Sequence, residues 1–132
     1  MSYDVNLAPF GWYIGSCLLR FIELEADNNY DLEARFMSWE NTVIVEAANI
    51  EEAYEKIDAI GIENSYPYKG GPTGIPVKWE YLGITELPPI YDELEDGAEV
   101  MWGERHPRKL KNLKRRVVTK EEFLNRKWMS EK

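Results

Sequence analysis

The sequence predicts an α+β fold: an antiparallel sheet of about four strands in ββαββ-like order, one main helix, and a C-terminal basic arm with a short helix. Period-2 alternation of apolar and polar residues favours the strands, and one stretch with helical spacing follows the second strand. The chain also becomes strongly basic after Glu104. We therefore predict an acidic domain over residues 1–104 and a basic segment over 105–132 that packs on it.

The first two strands are predicted to form a hairpin. Residues 12–24 are apolar on both alternating faces, which is typical of a central strand covered on both sides. Residues 25–31 are rich in turn formers. Residues 36–47 then alternate, with Trp39 on the apolar face and Glu40 on the polar face. The second strand should pair with the first.

The main helix is predicted from its capping residues and its spacing. Asn49 is followed three residues later by Glu52, an arrangement that caps a helix N-terminus. Ile50, Ala53 and Ile57 recur at helical spacing. Gly61 supplies the expected stop.

The rest of the domain is predicted as a loop, a strand, a turn and a short last strand. Residues 65–76 contain three glycines and three prolines, which oppose regular structure. Residues 77–85 alternate as a third strand, and 91–96 are expected to form a short helical turn before Gly97. The apolar run 98–102 is the predicted fourth strand.

The charge of the chain is divided unevenly. Residues 1–104 carry 21 acidic and 5 basic residues, whereas residues 105–132 carry 3 acidic and 11 basic residues. The acidic part would repel phosphates, so nucleic acid could bind only through the C-terminal segment. Thr119 and Glu122 form a capping box for its helix. The basic residues proposed for binding there are Arg105, Arg108, Lys109, Lys111, Lys114, Arg115 and Arg116.

The cysteine and histidine content argues against several kinds of site. Cys17 is the single cysteine and His106 the single histidine, so one chain offers neither a disulfide framework nor a zinc-type ligand set. A nucleophilic triad would need the same His106. We therefore expect no metal, no cofactor, no catalytic residue and a reducing, cytoplasmic location. Because no apolar run approaches the length of a membrane span, we also expect no membrane association.

Four segments together resemble a bacterial family known as domain of unknown function 4288. They are Trp12-Tyr13, Glu51-Glu52-Ala53-Tyr54-Glu55-Lys56, the strand Val77–Gly83 and the stretch Tyr91–Val100. The resemblance covers about residues 11–102. It implies an α+β domain and transfers no activity or catalytic residue.

The candidate binding residues are mostly aromatic. They fall on neighbouring predicted strands, and one helix can cover only one face of a small sheet. Some would be core, while others could line an oligomer interface or a partner groove, where tryptophan and tyrosine are enriched. The candidates are Trp12, Tyr13, Trp39, Glu40, Trp79, Tyr81 and Asp96.

These observations predict a non-catalytic protein-interaction or regulatory module of a bacterium or phage, similar in role to an immunity or inhibitor protein. One alternative is a nucleic-acid-associated protein that uses the basic segment. The other is a hydrolase or ligand-binding domain that uses acids around Glu40 and Asp96. We also predict a homodimer, because a single helix leaves the opposite sheet face in need of cover, unless the C-terminal helix covers it.

Overall fold

The computed structural model describes residues 4–70 and 74–126, in which four strands and one long helix form the first of two units. The elements of this unit, residues 1–102, are β1 (Trp12–Glu23), β2 (Ser38–Glu46), α1 (Ile50–Glu63), β3 (Pro67–Gly70) and β4 (Ile75–Glu86). Each neighbouring pair is antiparallel, and the strand order is β2-β1-β4-β3. The predicted α+β class and ββαββ order are confirmed.

β1 lies in the centre of the sheet, as its two apolar faces predict. It pairs with β2 without interruption from Trp12 opposite Glu46 to Arg20 opposite Ser38. On its other side it pairs with β4, where the register shifts twice. The alternating residues of β1 that include Tyr13, Gly15, Cys17 and Leu19 face α1 and form the core with it.

Two glycines let α1 pack closely on the sheet. A methyl group on Gly15 of β1 would come within 2.0 Å of the Ile57 side chain, and one on Gly61 within 2.4 Å of the Tyr81 ring. The predicted helix stop at Gly61 is therefore wrong. Gly61 is a buried interior residue that admits the Tyr81 ring, and α1 continues to Glu63.

The predicted start of α1 is confirmed. The Asn49 side chain accepts a hydrogen bond from the Glu52 backbone N–H at 2.8 Å. At the other end, the backbone N–H of Asn64 caps the helix by donating to Ile60 and Ile62.

The later strands differ in position from the prediction. The Gly/Pro-rich stretch 65–76 contains β3, which pairs with the start of β4 as a hairpin. A short connection brings these strands together at little cost in loop entropy. The run 98–102 is not a strand: its residues are mostly exposed, and β3 rather than this run pairs with the second side of β4. Residues 91–96 do not form a helical turn. The Ala98 backbone N–H closes a tight turn on the Glu95 carbonyl, and Asp92 accepts a hydrogen bond from the Glu99 backbone N–H.

The second unit, residues 103–132, contains two short helices. They are α2 (Leu110–Arg116) and α3 (Lys120–Leu124), and neither has a buried residue. The capping box of α3 is confirmed, since the Thr119 hydroxyl accepts from the Glu122 backbone N–H. Residues 110–116 of the predicted basic arm form α2, where leucine, lysine and arginine are good helix formers. Packing of residues 105–132 on the first unit stays a prediction.

Within the described parts of the chain, no helix combines the length and the apolar character needed to cross a bilayer.

Candidate functional site

A cluster of large apolar side chains occupies the helix-side face of the sheet beyond the end of α1. We call it the aromatic platform, and it consists of Phe21, Met37, Trp39, Tyr68 and Trp79. The Trp39 and Trp79 rings lie 4.6 Å apart between centroids at an interplanar angle of 33°. Phe21 meets Trp79 edge to face at 5.4 Å. The platform is thus built around two tryptophans that the sequence singles out.

Strand alternation places these side chains on one face. Phe21 is opposite Trp79 in the β1–β4 pair, and its backbone N–H bonds the Met37 carbonyl. Trp39 is opposite Leu19, which belongs to the core beneath α1. Tyr68 is opposite Val77, two residues before Trp79 and therefore on the same face.

The platform exists because α1 is shorter than the strands beneath it. A helix of 14 residues spans about 21 Å, whereas a strand of 12 residues spans about 40 Å. α1 covers β1 from Tyr13 to Leu19 and ends at Glu63. α1 therefore does not cover the sheet surface past that point.

The platform exposes much of its apolar surface. Trp39 is 36% exposed, Tyr68 44% and Met37 62%, while Phe21 and Trp79 are half-buried. The largest exposed apolar patches of monomeric proteins are often functional interaction sites. Two of the predicted candidates, Trp39 and Trp79, therefore belong to an exposed apolar cluster.

A small cleft of about 130 Å³ joins the platform to the C-terminal end of α1. Its walls are Leu19, Trp39, Asn41, Asn64 and Trp79. The C-terminal end of a helix carries a partial negative charge, which basic residues in the last turn commonly offset. The last turn of α1 has no basic residue, and its final residue is Glu63. Indole faces attract cations, so the cleft suits an arginine or lysine side chain.

Tyr81 ties the end of α1 to the sheet. Its hydroxyl donates a 2.7 Å hydrogen bond to Asp58 Oδ1, and its ring packs on Gly61. Burial, together with the hydrogen bond to Asp58, raises the pKa of Tyr81 well above its ordinary value. Burial, and secondarily Asp58, also raises the pKa of the Cys17 thiol, so this cysteine is an unreactive core residue.

The raised pKa of Tyr81 predicts a loss of stability at alkaline pH. In the unfolded chain Tyr81 ionises near pH 10, whereas in the folded protein it stays protonated to higher pH. The contribution of protonated Tyr81 to the free energy of unfolding is therefore complete below about pH 10 and is lost as the pH rises further. Chemical denaturation between pH 8 and 11 should show a smaller alkaline loss for Tyr81→Phe than for the wild type. Equal slopes for the two proteins would contradict the assignment.

The opposite face of the sheet carries hydrogen-bonded polar side chains. The Ser16 and Thr42 hydroxyls lie 2.8 Å apart, and the Thr85 hydroxyl donates to Glu40 Oε2 at 2.8 Å. Further along β1, Arg20 pairs with Glu80 at 2.8 Å and also donates to the Asn29 carbonyl. These contacts reduce the need for a second layer over this face.

The structure separates the other predicted candidates from the platform. Tyr13 is fully buried, and its hydroxyl bonds Asn6 O and Ala8 N, so it belongs to the core. Trp12 is half-buried on the face that carries Glu40. Asp96 is exposed in the tight turn that the Ala98 N–H closes on the Glu95 carbonyl.

The predicted basic residues all lie in the second unit and are all exposed, several of them on or beside α2. They are Arg105, Arg108, Lys109, Lys111, Lys114, Arg115 and Arg116.

A cleft of about 280 Å³ lies beside the predicted acidic turn, lined by prolines 88 and 89, Tyr91, Asp92, Glu99 and residues 100–102. The Asp92 carboxylate accepts a hydrogen bond from the Glu99 backbone N–H, and this contact closes the turn. Among the described residues, no three acidic, histidine or cysteine side chains gather as they would around a metal ion.

Sequence reasoning missed Phe21, Met37, Tyr68 and Glu63 as site residues. Phe21 and Met37 share the odd-numbered alternation of Trp39 and could have been found by extending that pattern past the helix. Tyr68 lies in the stretch predicted as a loop, so no strand pattern pointed to it.

Comparison with known proteins identifies a family for most of the chain. The model of the family described as "Domain of unknown function (DUF4288)" matches residues 12–102. The chain belongs to this family. The matched region begins with β1 and ends within the first unit, so this DUF4288 domain includes the whole sheet, α1 and the platform. Neither a curated protein nor a solved structure matches the chain.

Proposed function

We propose that this DUF4288 protein is a non-catalytic protein-interaction module that binds an apolar, basic segment of a partner protein on the aromatic platform. The observation that carries the proposal is the cleft between the Trp39–Trp79 pair and the C-terminal end of α1. It combines an apolar surface with a partial negative charge. Tryptophan and tyrosine are the residues most often found at the energetic centre of protein interfaces.

The charges around the platform support a basic partner. Glu23 of β1 and Glu63 of α1 lie on the helix side of the sheet and are exposed. Among the cations whose side chains the structure describes, Arg20 and Lys78 pair with Glu80 on the other face. Arg35 lines a separate cleft beside Phe21 and Met37, at the end of the platform away from α1. A basic side chain of the partner should therefore bind at the end of the platform next to the C-terminal end of α1.

The broader setting that we propose is a bacterial or phage accessory protein of the immunity or inhibitor kind, acting in the cytoplasm. The acidic character of residues 1–104 supports it, because such a surface attracts basic partners and speeds their association.

A peptide titration tests the choice of partner chemistry. The probes are a short peptide of alternating arginine and leucine and a matched peptide of alternating glutamate and leucine. Binding of each peptide to the full chain is measured by the change in tryptophan fluorescence. We expect the arginine peptide to bind and to weaken as salt increases, while the glutamate peptide does not bind. Equal affinity for both peptides, or binding of neither, would contradict the proposal.

A second candidate function is nucleic-acid binding by the second unit. It is favoured by α2, whose last turn consists of Lys114, Arg115 and Arg116 and whose residues are all exposed. Binding of this kind falls steeply with salt concentration. The test is a titration with single-stranded DNA. Salt-sensitive DNA binding by the wild type that is lost in the double variant Arg115→Gln/Arg116→Gln would support nucleic-acid binding over peptide binding on the platform.

A further inference from the structure

The outer edge of β2 presents a row of backbone groups for pairing. In an antiparallel ladder, directly opposed residues alternate between hydrogen-bonded and non-hydrogen-bonded pairs. Phe21 N bonds Met37 O and Ala47 N bonds Gly11 O, so the odd-numbered residues of β2 bond inward to β1. The N–H and C=O groups of the even-numbered residues Ser38, Glu40, Thr42 and Ile44 therefore point outward.

β2 lacks most of the usual protections of an edge strand. Natural edge strands are protected by being short, by proline, by charged side chains and lysine above all, by bulges, or by a covering helix or loop. β2 is nine residues long, contains neither proline nor lysine, and pairs with β1 without a register shift. Its charged residues are Glu40 and Glu46, and the Glu40 carboxylate accepts a hydrogen bond from Thr85 on the sheet face. The opposite edge differs, because β3 has only four residues and begins with Pro67. Among the described residues, no strand lies beyond β2.

We propose that two copies of this chain pair antiparallel through their β2 edges and form one continuous sheet. The outward carbonyl of Glu46 already accepts a 2.6 Å hydrogen bond from Lys56 Nζ. The free row is therefore limited to the four outward residues from Ser38 to Ile44. A two-fold axis at Asn41 pairs this row with itself completely: Ser38 with Ile44 of the partner subunit, and Glu40 with Thr42 of the partner subunit.

The side chains in this register are compatible on both faces. On the polar face, Glu40 lies opposite a threonine hydroxyl rather than another carboxylate, which avoids the repulsion of directly opposed like charges. On the helix side, Trp39 lies opposite Val43 of the partner subunit, an aromatic and β-branched pair that stabilises sheets. The half-exposed Ile44 gains a neighbour in Ser38 of the partner subunit. Trp39 and Asn41 also line the cleft of the platform, so the β2 strand of the second copy would border the platform in this arrangement.

Sedimentation of the full chain tests the pairing. We expect a concentration-dependent dimer in the wild type, and we expect Ile44→Lys to raise its dissociation constant about tenfold or more, because lysine blocks edge pairing. Leu82→Lys is the matched control, since Leu82 is 52% exposed on β4 and away from this edge. A wild-type monomer at every concentration, or an Ile44→Lys dimer as stable as the control, would overturn the proposal.

Disulfide trapping tests the register even if Ile44→Lys fails to fold. Asn41→Cys should crosslink two copies on mild oxidation, because the two-fold axis brings this position against itself in a non-hydrogen-bonded pair. The variant is made with Cys17→Ala, since Cys17 lies directly opposite Asn41 on β1. Crosslinking of Thr42→Cys instead would place the axis elsewhere, and failure of both positions to crosslink would contradict edge pairing.

Discussion

Replacing Gly15 by alanine is expected to lower the free energy of unfolding by about 1–3 kcal/mol, the usual cost of overpacking a core. The new methyl group would come within 2.0 Å of Ile57 Cδ1, 2.5 Å of Cγ1 and 2.8 Å of Cγ2. Ile57 is fully buried and cannot swing into solvent. α1 would have to move away from β1, and chemical denaturation would report the loss.

A double-mutant cycle shows whether this contact is the cause. Ile57→Ala alone leaves a cavity and should cost about 2–5 kcal/mol. It also removes all three atoms that clash with the new methyl group at position 15. The double variant should therefore be more stable than the sum of the two losses predicts, by about 1 kcal/mol or more. Strict additivity would mean that Gly15 is required for another reason.

Trp39→Ser is expected to weaken binding of the arginine–leucine peptide by roughly 10- to 100-fold, the range for loss of a central aromatic at an interface. Trp39 forms one side of the cleft and stacks on Trp79. Isothermal titration calorimetry of the full chain gives the affinity, and a thermal melt confirms that the variant is folded.

Tyr54→Ser is the matched control for this experiment. Tyr54 is an aromatic residue of α1 that is 50% exposed and lines a different surface cleft. Its replacement should leave peptide affinity within about twofold of the wild type. Equal losses for Trp39→Ser and Tyr54→Ser would show that the peptide binds the acidic surface without using the platform.

The first half of the domain was the most predictable from sequence. The double apolar face of residues 12–24 and the alternation of 36–47 each depend on a long periodic pattern, and both strands are confirmed. The Asn49 cap was also predicted, because its signal is local. β3 was not predicted, since a four-residue strand in a Gly/Pro-rich stretch has too little pattern to recognise.

The site was predictable only in part. Trp39 and Trp79 were candidates because of their residue type and strand position, but sequence could not tell them from Tyr13, which is core. That distinction depends on where α1 ends. The sequence placed the end at Gly61, whose absent side chain serves packing against Tyr81 instead. The cleft at the C-terminal end of α1 could therefore not be predicted from the sequence.

The most direct test of the platform is the response of the indole N–H signals to the arginine–leucine peptide in a ¹H–¹⁵N correlation spectrum. The chain has five tryptophans, of which Trp39 and Trp79 belong to the platform and Trp12 faces the other side of the sheet. We predict that the signals of Trp39 and Trp79, with the backbone amide of Asn64, shift in a saturable way while that of Trp12 does not. Shifts confined to Trp12 or to the amides of α2, with Trp39 and Trp79 unchanged, would contradict the account.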